Sequence, residues 1–297
     1  MLDYIDLFAG LGGFSVGLKD LGNCHFAAEN EPIARSQYAL NFPAHTLHSD
    51  VTKIVELPKL DLLCGGFPCQ SFSSAGRQKG FDDPRGQLIF QILRLVDSNK
   101  PRWLLLENVK NLLHIDDGKT FETILDEIKK RGYKVSYKVC NSINFGVPQL
   151  RERVFILAGP KQIEIPDGNG KPRRTIKHIL QKNVTDHHFH RCYRLPDSIE
   201  KTTGRIPVVN DQGKLHQDDY LIRSNEPSPT LAASCFGATY GRKVIYPEMR
   251  YLTSREVARI QGFPQWYKLH SNRKENYRLF GNAVVPPIVA EIAGRLI

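Results

Sequence analysis

The chain has 297 residues, 41% of them hydrophobic, and a formal net charge of +10. That is long enough for one large domain or for a core domain with a smaller companion. It has no run of about 18 apolar residues, so no membrane span is expected, and its opening residues lack the basic and apolar regions of a secretory leader.

The expectation is therefore a soluble, cytoplasmic protein. The positive charge is spread along the chain rather than gathered in a tail, and it favours a polyanionic partner only weakly. Six cysteines, Cys24, Cys64, Cys69, Cys140, Cys192 and Cys235, form no Cys-x-x-Cys pair and are too sparse for a disulfide scaffold. Reduced thiols are the default, and each one taken alone reads as a small buried hydrophobe.

In chain order, strand-like apolar runs fall at Tyr4–Phe8, Cys24–Ala28, Leu60–Cys64, Trp103–Leu106, Val135–Val139 and Val154–Leu157. Helical patterns lie between them at Phe14–Leu21, Ile33–Asn41, Leu88–Asn99 and Thr120–Arg131. The last ends in Lys129-Lys130-Arg131-Gly132, cations followed by a glycine, as helix C-termini prefer. The alternation predicts an α/β fold: a doubly wound, mostly parallel, Rossmann-like sheet with helices on both faces and a ligand crevice at the carboxyl ends of the strands. From Lys161 the periodicity weakens and Pro, Gly, Asn and His become frequent. Helical texture returns at Thr253–Gln261 and Ile288–Leu296. The expected organisation is one domain from residues 1–160 plus 250–297, and a smaller irregular domain from 161–249.

Asp6-Leu7-Phe8-Ala9-Gly10-Leu11-Gly12-Gly13-Phe14 follows the first strand and opens a helix. Glycines there allow a tight turn and a close approach of backbone to ligand, and free amides at a helix start favour an anionic group. Glu29, about 20 residues further on at the end of the next strand, is placed for ribose hydroxyls. Asp50, after a third strand-like stretch, is placed to accept from an adenine amino group. The turn alone does not choose between nicotinamide, flavin and S-adenosylmethionine, but Ser15 replaces the third glycine of the dinucleotide fingerprint, which disfavours a dinucleotide.

Gly65-Gly66-Phe67-Pro68-Cys69-Gln70 directly follows another strand, so Cys69 sits at a carboxyl end on a turn stiffened by Pro68. The next strand ends in Glu107-Asn108-Val109, and a third region carries Gln149-Leu150-Arg151-Glu152-Arg153. A thiol, a carboxyl and guanidinium groups at strand ends can meet around one pocket. Read singly, Glu107 is a helix-start acid and the arginines a solvated surface.

Together, Phe8-Ala9-Gly10-Leu11-Gly12-Gly13, Pro68-Cys69-Gln70, Glu107-Asn108-Val109, Gln149-x-Arg151-x-Arg153 and Gly281-Asn282-Ala283-Val284-Val285-Pro286 resemble, in order and spacing, the bacterial cytosine-5 DNA methyltransferases of restriction-modification type. The resemblance covers nearly the whole chain and implies the following. A target cytosine is rotated out of duplex DNA, the Cys69 thiolate adds to ring carbon 6, and carbon 5 takes a methyl group from S-adenosylmethionine. Glu107, protonated, would bind the ring's nitrogen 3 edge, Arg153 its carbonyl oxygen, and Arg151 would support the pocket. Phe8, Gly10, Leu11, Gly12, Glu29, Asn30, Asp50, Val51, Pro68, Leu88, Asn282 and Ala283 would line the cofactor site. Asn30 stands where relatives often carry an aromatic residue.

The same resemblance assigns the substrate to Gln70, Ser73, Arg77, Asn108 and Gln149. The polar stretch Ser71 to Gln87 reads as a lid over DNA. Thr230-Leu231 matches a short signature of the recognition region, where Arg205, Asn210, Gln212, Arg223, Arg242 and Lys243 are candidate base readers or phosphate contacts. His187-His188-Phe189-His190-Arg191-Cys192 fits no zinc spacing well, and no metal is assigned. A monomer is expected, associated with the nucleoid through DNA and in some settings paired with a restriction endonuclease acting on the same site. Two alternatives stay open. One is a tRNA cytosine-5 methyltransferase, whose Cys-Phe-Thr signature Cys235-Phe236-Gly237 meets only in part. The other is a catalytically silent DNA-binding relative.

Overall fold

The computed structural model describes residues 1–68, 88–184, 206–209, 215–233 and 243–297. Backbone contacts divide the chain into two compact units: Met1–Asn141, Glu152–Asn169 and Val284–Ile297 in the first, Ser142–Arg151 and Gly170–Ala283 in the second.

The first unit is built on a 7-stranded sheet. Its strands are β1 (Leu2–Leu7), β2 (Gly22–Ala28), β3 (Thr46–His48), β4 (Leu62–Gly66), β5 (Trp103–Val109), β6 (Lys134–Asn141) and, after the two-residue β7 (Gln149–Leu150) of the second unit, β8 (Glu152–Gly159). The order is β3-β2-β1-β4-β5-β8-β6. Pairings from β3 through to β5 are parallel, and β8 runs against both of its neighbours. Trp103, Leu104, Leu105 and Leu106 are all buried, as a strand covered on both faces requires.

Successive strand side chains point to opposite faces, and helices take both. Ile5, Leu7, Leu63, Leu104 and Leu106 pack with α3 (Leu88–Ser98) and α4 (Lys119–Lys130) in one core. Asp6, on the other face, bonds to Ser15 of α1 (Gly13–Leu18), which in turn meets Tyr38 of α2 (Pro32–Asn41). Helix α4 forms because Phe121, Ile124, Leu125 and Ile128 recur at helical spacing and are buried. It stops at Gly132, whose φ of 80° is left-handed. The doubly wound reading of this unit holds.

The second unit corrects the expectation of an irregular region. Residues between 161 and 249 include β9 (Ile206–Val209), β10 (Leu215–Arg223), β11 (Ser228–Pro229) and β12 (Lys243–Tyr246). With β13 (Arg250–Tyr251) they form a 4-stranded sheet of order β13-β12-β10-β9, and β11 pairs with β7. The pattern hid because the register shifts between His216 and Tyr220, across the polar run His216-Gln217-Asp218-Asp219. A short helix α5 (Ser254–Ile260) and α6 (Arg273–Asn282) follow, before α7 (Pro286–Ala293) in the first unit. The stretch 250–283, read from the sequence as part of the cofactor domain, makes its contacts within the second unit. Among the described residues, no helix is long and apolar enough to cross a membrane.

Candidate active site

Strands β1, β2 and β3 are neighbours, so the segments leaving their carboxyl ends lie side by side. The first is the glycine turn. Phe8, Gly10 and Gly12 have φ of 56°, 54° and 75°. Phe8 is the costly one, since a side chain strains a left-handed backbone. A Cβ on Gly12 would stand 2.6 Å from the Phe42 ring and 2.9 Å from that of Tyr38, so no larger residue fits. A Cβ on Gly10 would meet nothing within 4 Å among the described residues, as a turn that admits a ligand requires. Glu29, leaving β2, accepts from the Gly10 amide at 2.8 Å through Oε2 and from the Glu31 amide at 2.8 Å through Oε1. Its carboxylate therefore clamps the turn and still has lone pairs for hydroxyl donors. Asp50, after β3, accepts from the Thr52 amide and hydroxyl, which hold its carboxyl below the ordinary range. Leu11 and Val51 are buried beside these acids, Phe8 and Leu88 half-buried, and Asn30 exposed.

The second cluster lies at the ends of β4, β5 and the start of β8. Gly66 pairs with Glu107, and Val109 with Arg153. Glu107 Oε1 is 3.2 Å from Arg153 Nε, and both side chains keep some exposure, 11% and 17%. Burial pulls the Arg153 guanidinium below its usual range, and the Glu107 charge opposes that. A Cβ on Gly66 would come within 3.4 Å of Glu107 Oε2, so the glycine leaves the carboxyl room. Asn108 faces the other way: its Nδ2 donates to the Phe67 carbonyl at 2.9 Å, and its Oδ1 accepts from the Val109 amide at 2.8 Å. Its side chain braces the backbone that leads into the exposed Pro68.

In the second unit the remaining motif residues form a buried knot. Gln149 donates to the Ile260 carbonyl and Gln261 Oε1, and accepts from the Leu231 amide. Gln261 in turn donates to the Phe280 carbonyl. Arg151, 1% exposed, donates to the carbonyls of Leu231 at 3.2 Å and Ala283 at 3.1 Å. The Thr230 hydroxyl donates to the Leu150 carbonyl at 2.7 Å. A Cβ on Gly281 would strike the Ala233 amide nitrogen at 2.5 Å. Gln149, Arg151 and Ala283 thus hold the framework together, while Asn282 is exposed at the end of α6 and Arg223 is half-buried near Glu226.

Cys69, Gln70, Ser73, Arg77, Arg205, Asn210, Gln212 and Arg242 lie outside the described residues, as do the expected lid, the side chain of Lys243 and the His187–Cys192 run. Three other thiols are described. Burial pushes those of Cys24 and Cys140 up to about 12 and that of Cys64 well above its ordinary range, so none of the three supplies a thiolate at neutral pH. The sequence assigned no role to Asp6, Glu31 or Asn272, and showed Ser15 only as a departure from the glycine fingerprint. A lone acid inside an apolar strand was the available signal for Asp6. Glu31 and Asn272 were legible as helix N-caps, each bonding two amides of the turn it opens.

The family model of the C-5 cytosine-specific DNA methylases matches residues 2–297. The chain belongs to that family. It is a DNA cytosine-5 methyltransferase of the α/β, doubly wound class. It is 36% identical to the type II methyltransferase M.BsuFI of Bacillus subtilis, over 99% of this chain and 72% of that one. It is 34% identical to M.HhaI of Haemophilus parahaemolyticus, over 98% and 93%. Among solved structures, a putative prophage-encoded DNA modification methyltransferase from E. coli superposes with a TM-score of 0.77 at 22% identity, covering 99% of this chain and 97% of that one. The DNMT2 of Spodoptera frugiperda gives 0.74 at 19%, covering 100% and 99%. At those identities the likeness is one of fold.

Proposed function

We propose that this methyltransferase uses Cys69 as its nucleophile, Glu107 and Arg153 as the groups that grip the target ring, and S-adenosylmethionine as its methyl donor. The observation that carries this reading is the Glu107–Arg153 pair. It is partly exposed at the carboxyl end of β5, beside the end of β4 that runs into Phe67-Pro68-Cys69.

The thiolate of Cys69 would add to carbon 6 of a flipped cytosine. Glu107, carrying a proton, would donate to the nitrogen 3 edge and stabilise the electrons pushed into the ring. The ring must therefore compete with Arg153 for the carboxyl, and the freed guanidinium becomes available to the ring carbonyl. Addition makes carbon 5 nucleophilic. After methylation, loss of the carbon 5 proton and departure of the thiolate restore the aromatic ring and the enzyme. S-Adenosylmethionine, when bound, supplies an electrophilic methyl group on a sulfonium. The residues that would hold it are the turn from Phe8 to Gly12, with Glu29 on the ribose and Asp50 on the adenine. Residues 161–249 would read the target sequence. A monomer acting on double-stranded DNA, with a restriction endonuclease of the same specificity as a genetic partner, completes the proposal.

The test is a duplex carrying 5-fluorocytosine at the target, found first by bisulfite sequencing of a plasmid from the expressing cell. The fluorine blocks loss of the carbon 5 substituent, so the wild-type chain should remain covalently attached and Cys69→Ser should not. Full methylation by Cys69→Ser would overturn the assignment. Methylation of tRNA in preference to duplex DNA would overturn the substrate.

A further inference from the structure

Beneath the glycine turn lies a line of hydrogen bonds that the proposed chemistry does not use. Asp6 is wholly buried on β1. Its Oδ2 accepts from the Ser15 amide at 3.2 Å and from the Ser15 hydroxyl at 2.8 Å. Ser15 Oγ is also 2.8 Å from the Tyr38 hydroxyl, which is 2.9 Å from Nδ1 of His45. Tyr38 is fully buried, and the half-buried His45 ring stacks on Phe42 with centroids 5.0 Å apart. Phe42 and Tyr38 are the rings against which Gly12 packs. The line therefore joins a buried acid to an imidazole at the surface and supports the turn along the way.

We propose that Asp6, Ser15, Tyr38 and His45 act as one proton-coupled relay, in which the charge on Asp6 sets both the tautomer of His45 and the affinity of the glycine turn for a cationic ligand. The donor logic is restrictive. An ionised Asp6 can only accept, so each donor points towards it: Ser15 to Asp6, Tyr38 to Ser15, and the Nδ1–H of His45 to Tyr38. Protonated on Oδ2, Asp6 lets the line turn round, ending with Tyr38 donating to a bare Nδ1. Oδ1 of Asp6 is buried and has no hydrogen-bond partner among the described residues, as expected of a carboxyl built to spend part of its time neutral.

The titratable groups facing Asp6 are Tyr4 on its own strand, Cys24 on β2, Glu29 just beyond β2, Cys64 on β4 and Tyr38 on α2. All are neutral or acidic. Burial first, and then the Glu29 charge, push the Asp6 carboxyl up to about 7 against the Ser15 hydrogen bonds, while burial lowers His45. Asp6 thus changes state near neutrality, where its one proton decides the direction of every bond between it and His45.

The charge on Asp6 matters to the cofactor if the turn binds S-adenosylmethionine, and this part rests on the function proposed above. A sulfonium cation favours the ionised acid, so its binding should tighten as pH rises through 7 and should release a proton. S-Adenosylhomocysteine has no sulfonium and should show little of this dependence.

The experiment has two arms on the full-length chain. In the first, nitrogen-15 NMR of the histidine rings is followed from pH 6 to pH 8 without any cofactor, with His45→Gln used to assign the signal. The His45 Nδ1–H form should dominate at high pH and give way as Asp6 is protonated, and Asp6→Asn or Tyr38→Phe should abolish that step. In the second, calorimetry should find S-adenosylmethionine about three- to ten-fold tighter at pH 8 than at pH 6 in the wild type, with the ratio near one in Asp6→Asn. A His45 signal that steps identically in wild type, Asp6→Asn and Tyr38→Phe would overturn the relay. A relay intact by NMR with equal pH dependence for both compounds would overturn its link to the turn. Binding of neither compound would overturn the cofactor assignment and leave the NMR result standing.

Discussion

Two glutamate–arginine pairs in this molecule have the same chemistry and opposite designs. Glu107 and Arg153 approach to 3.2 Å and keep partial exposure. Arg250 and Glu256 meet twice, at 2.8 and 2.7 Å, with 4% and 0% of their side chains exposed. Glu256 also accepts from the amides of Thr253 at 2.8 Å and Gln181 at 2.7 Å. The second pair is closed: its charges are matched and its acceptors occupied, so it can only hold structure. The first keeps part of both side chains exposed, and a partly exposed charge pair suits a ligand.

The comparison can be broken in several ways, taken here from the largest effect to the smallest. Removing one partner of the closed pair with Arg250→Ala should cost about 3–5 kcal/mol, because a buried charge loses its counter-ion. Denaturant unfolding should show it, while molecules that remain folded keep their methylation rate. Replacing the open pair's acid with Glu107→Gln should do the reverse. Melting should hardly move, but single-turnover methyl transfer should fall about 10²–10³-fold, the usual cost of a lost transition-state donor. Equal stability losses for the two variants would erase the distinction.

A third acid sharpens the comparison, because Asp6 is buried with no cation beside it among the described residues. Its folded pKa of about 7 lies above the ordinary 3.8, so its stabilising contribution is present at low pH and lost as pH rises towards 7. Asp6→Asn should therefore match the wild type near pH 4 and be more stable by about 2–4 kcal/mol at pH 8, read as a shift in unfolding midpoint. A constant difference across that range would mean that Asp6 is ionised throughout. The smallest effect belongs to the cap beside the closed pair. Thr253 accepts from the Glu256 amide while Glu256 accepts from the Thr253 amide, and Thr253→Ala should cost about 1 kcal/mol by thermal unfolding.

What the sequence made legible follows from how local each signal is. Strands buried on both faces, such as Trp103–Val109, appear as apolar runs, and α4 appears through its spacing and its terminal glycine. Helix α6 was not read, because within Arg273-Lys-Glu-Asn-Tyr-Arg-Leu-Phe the buried Tyr277, Leu279 and Phe280 cluster late and the first turn is charged. Glu107 and Arg153 were correctly placed at strand ends, since topology alone decides that. The roles of Asn108, Gln149 and Arg151 were less accessible. A motif shows that a polar residue matters, but only its partners show whether it faces a ligand or its own backbone. Asn108 on Phe67 and Arg151 on Leu231 and Ala283 face the backbone.

The packing of α1 has a consequence for how the molecule is made. A Cβ on Gly13 would stand 2.5 Å from Val284, and one on Gly17 2.7 Å from the Pro286 carbonyl and 2.8 Å from Val289. The short helix that carries the glycine turn is thus seated against a segment encoded at the opposite end of the sequence. A ribosome delivers that segment long after it delivers the turn. The nascent chain should pass most of its synthesis without a settled cofactor loop, and its ability to modify DNA should switch on late, when α7 arrives to lock α1 in place.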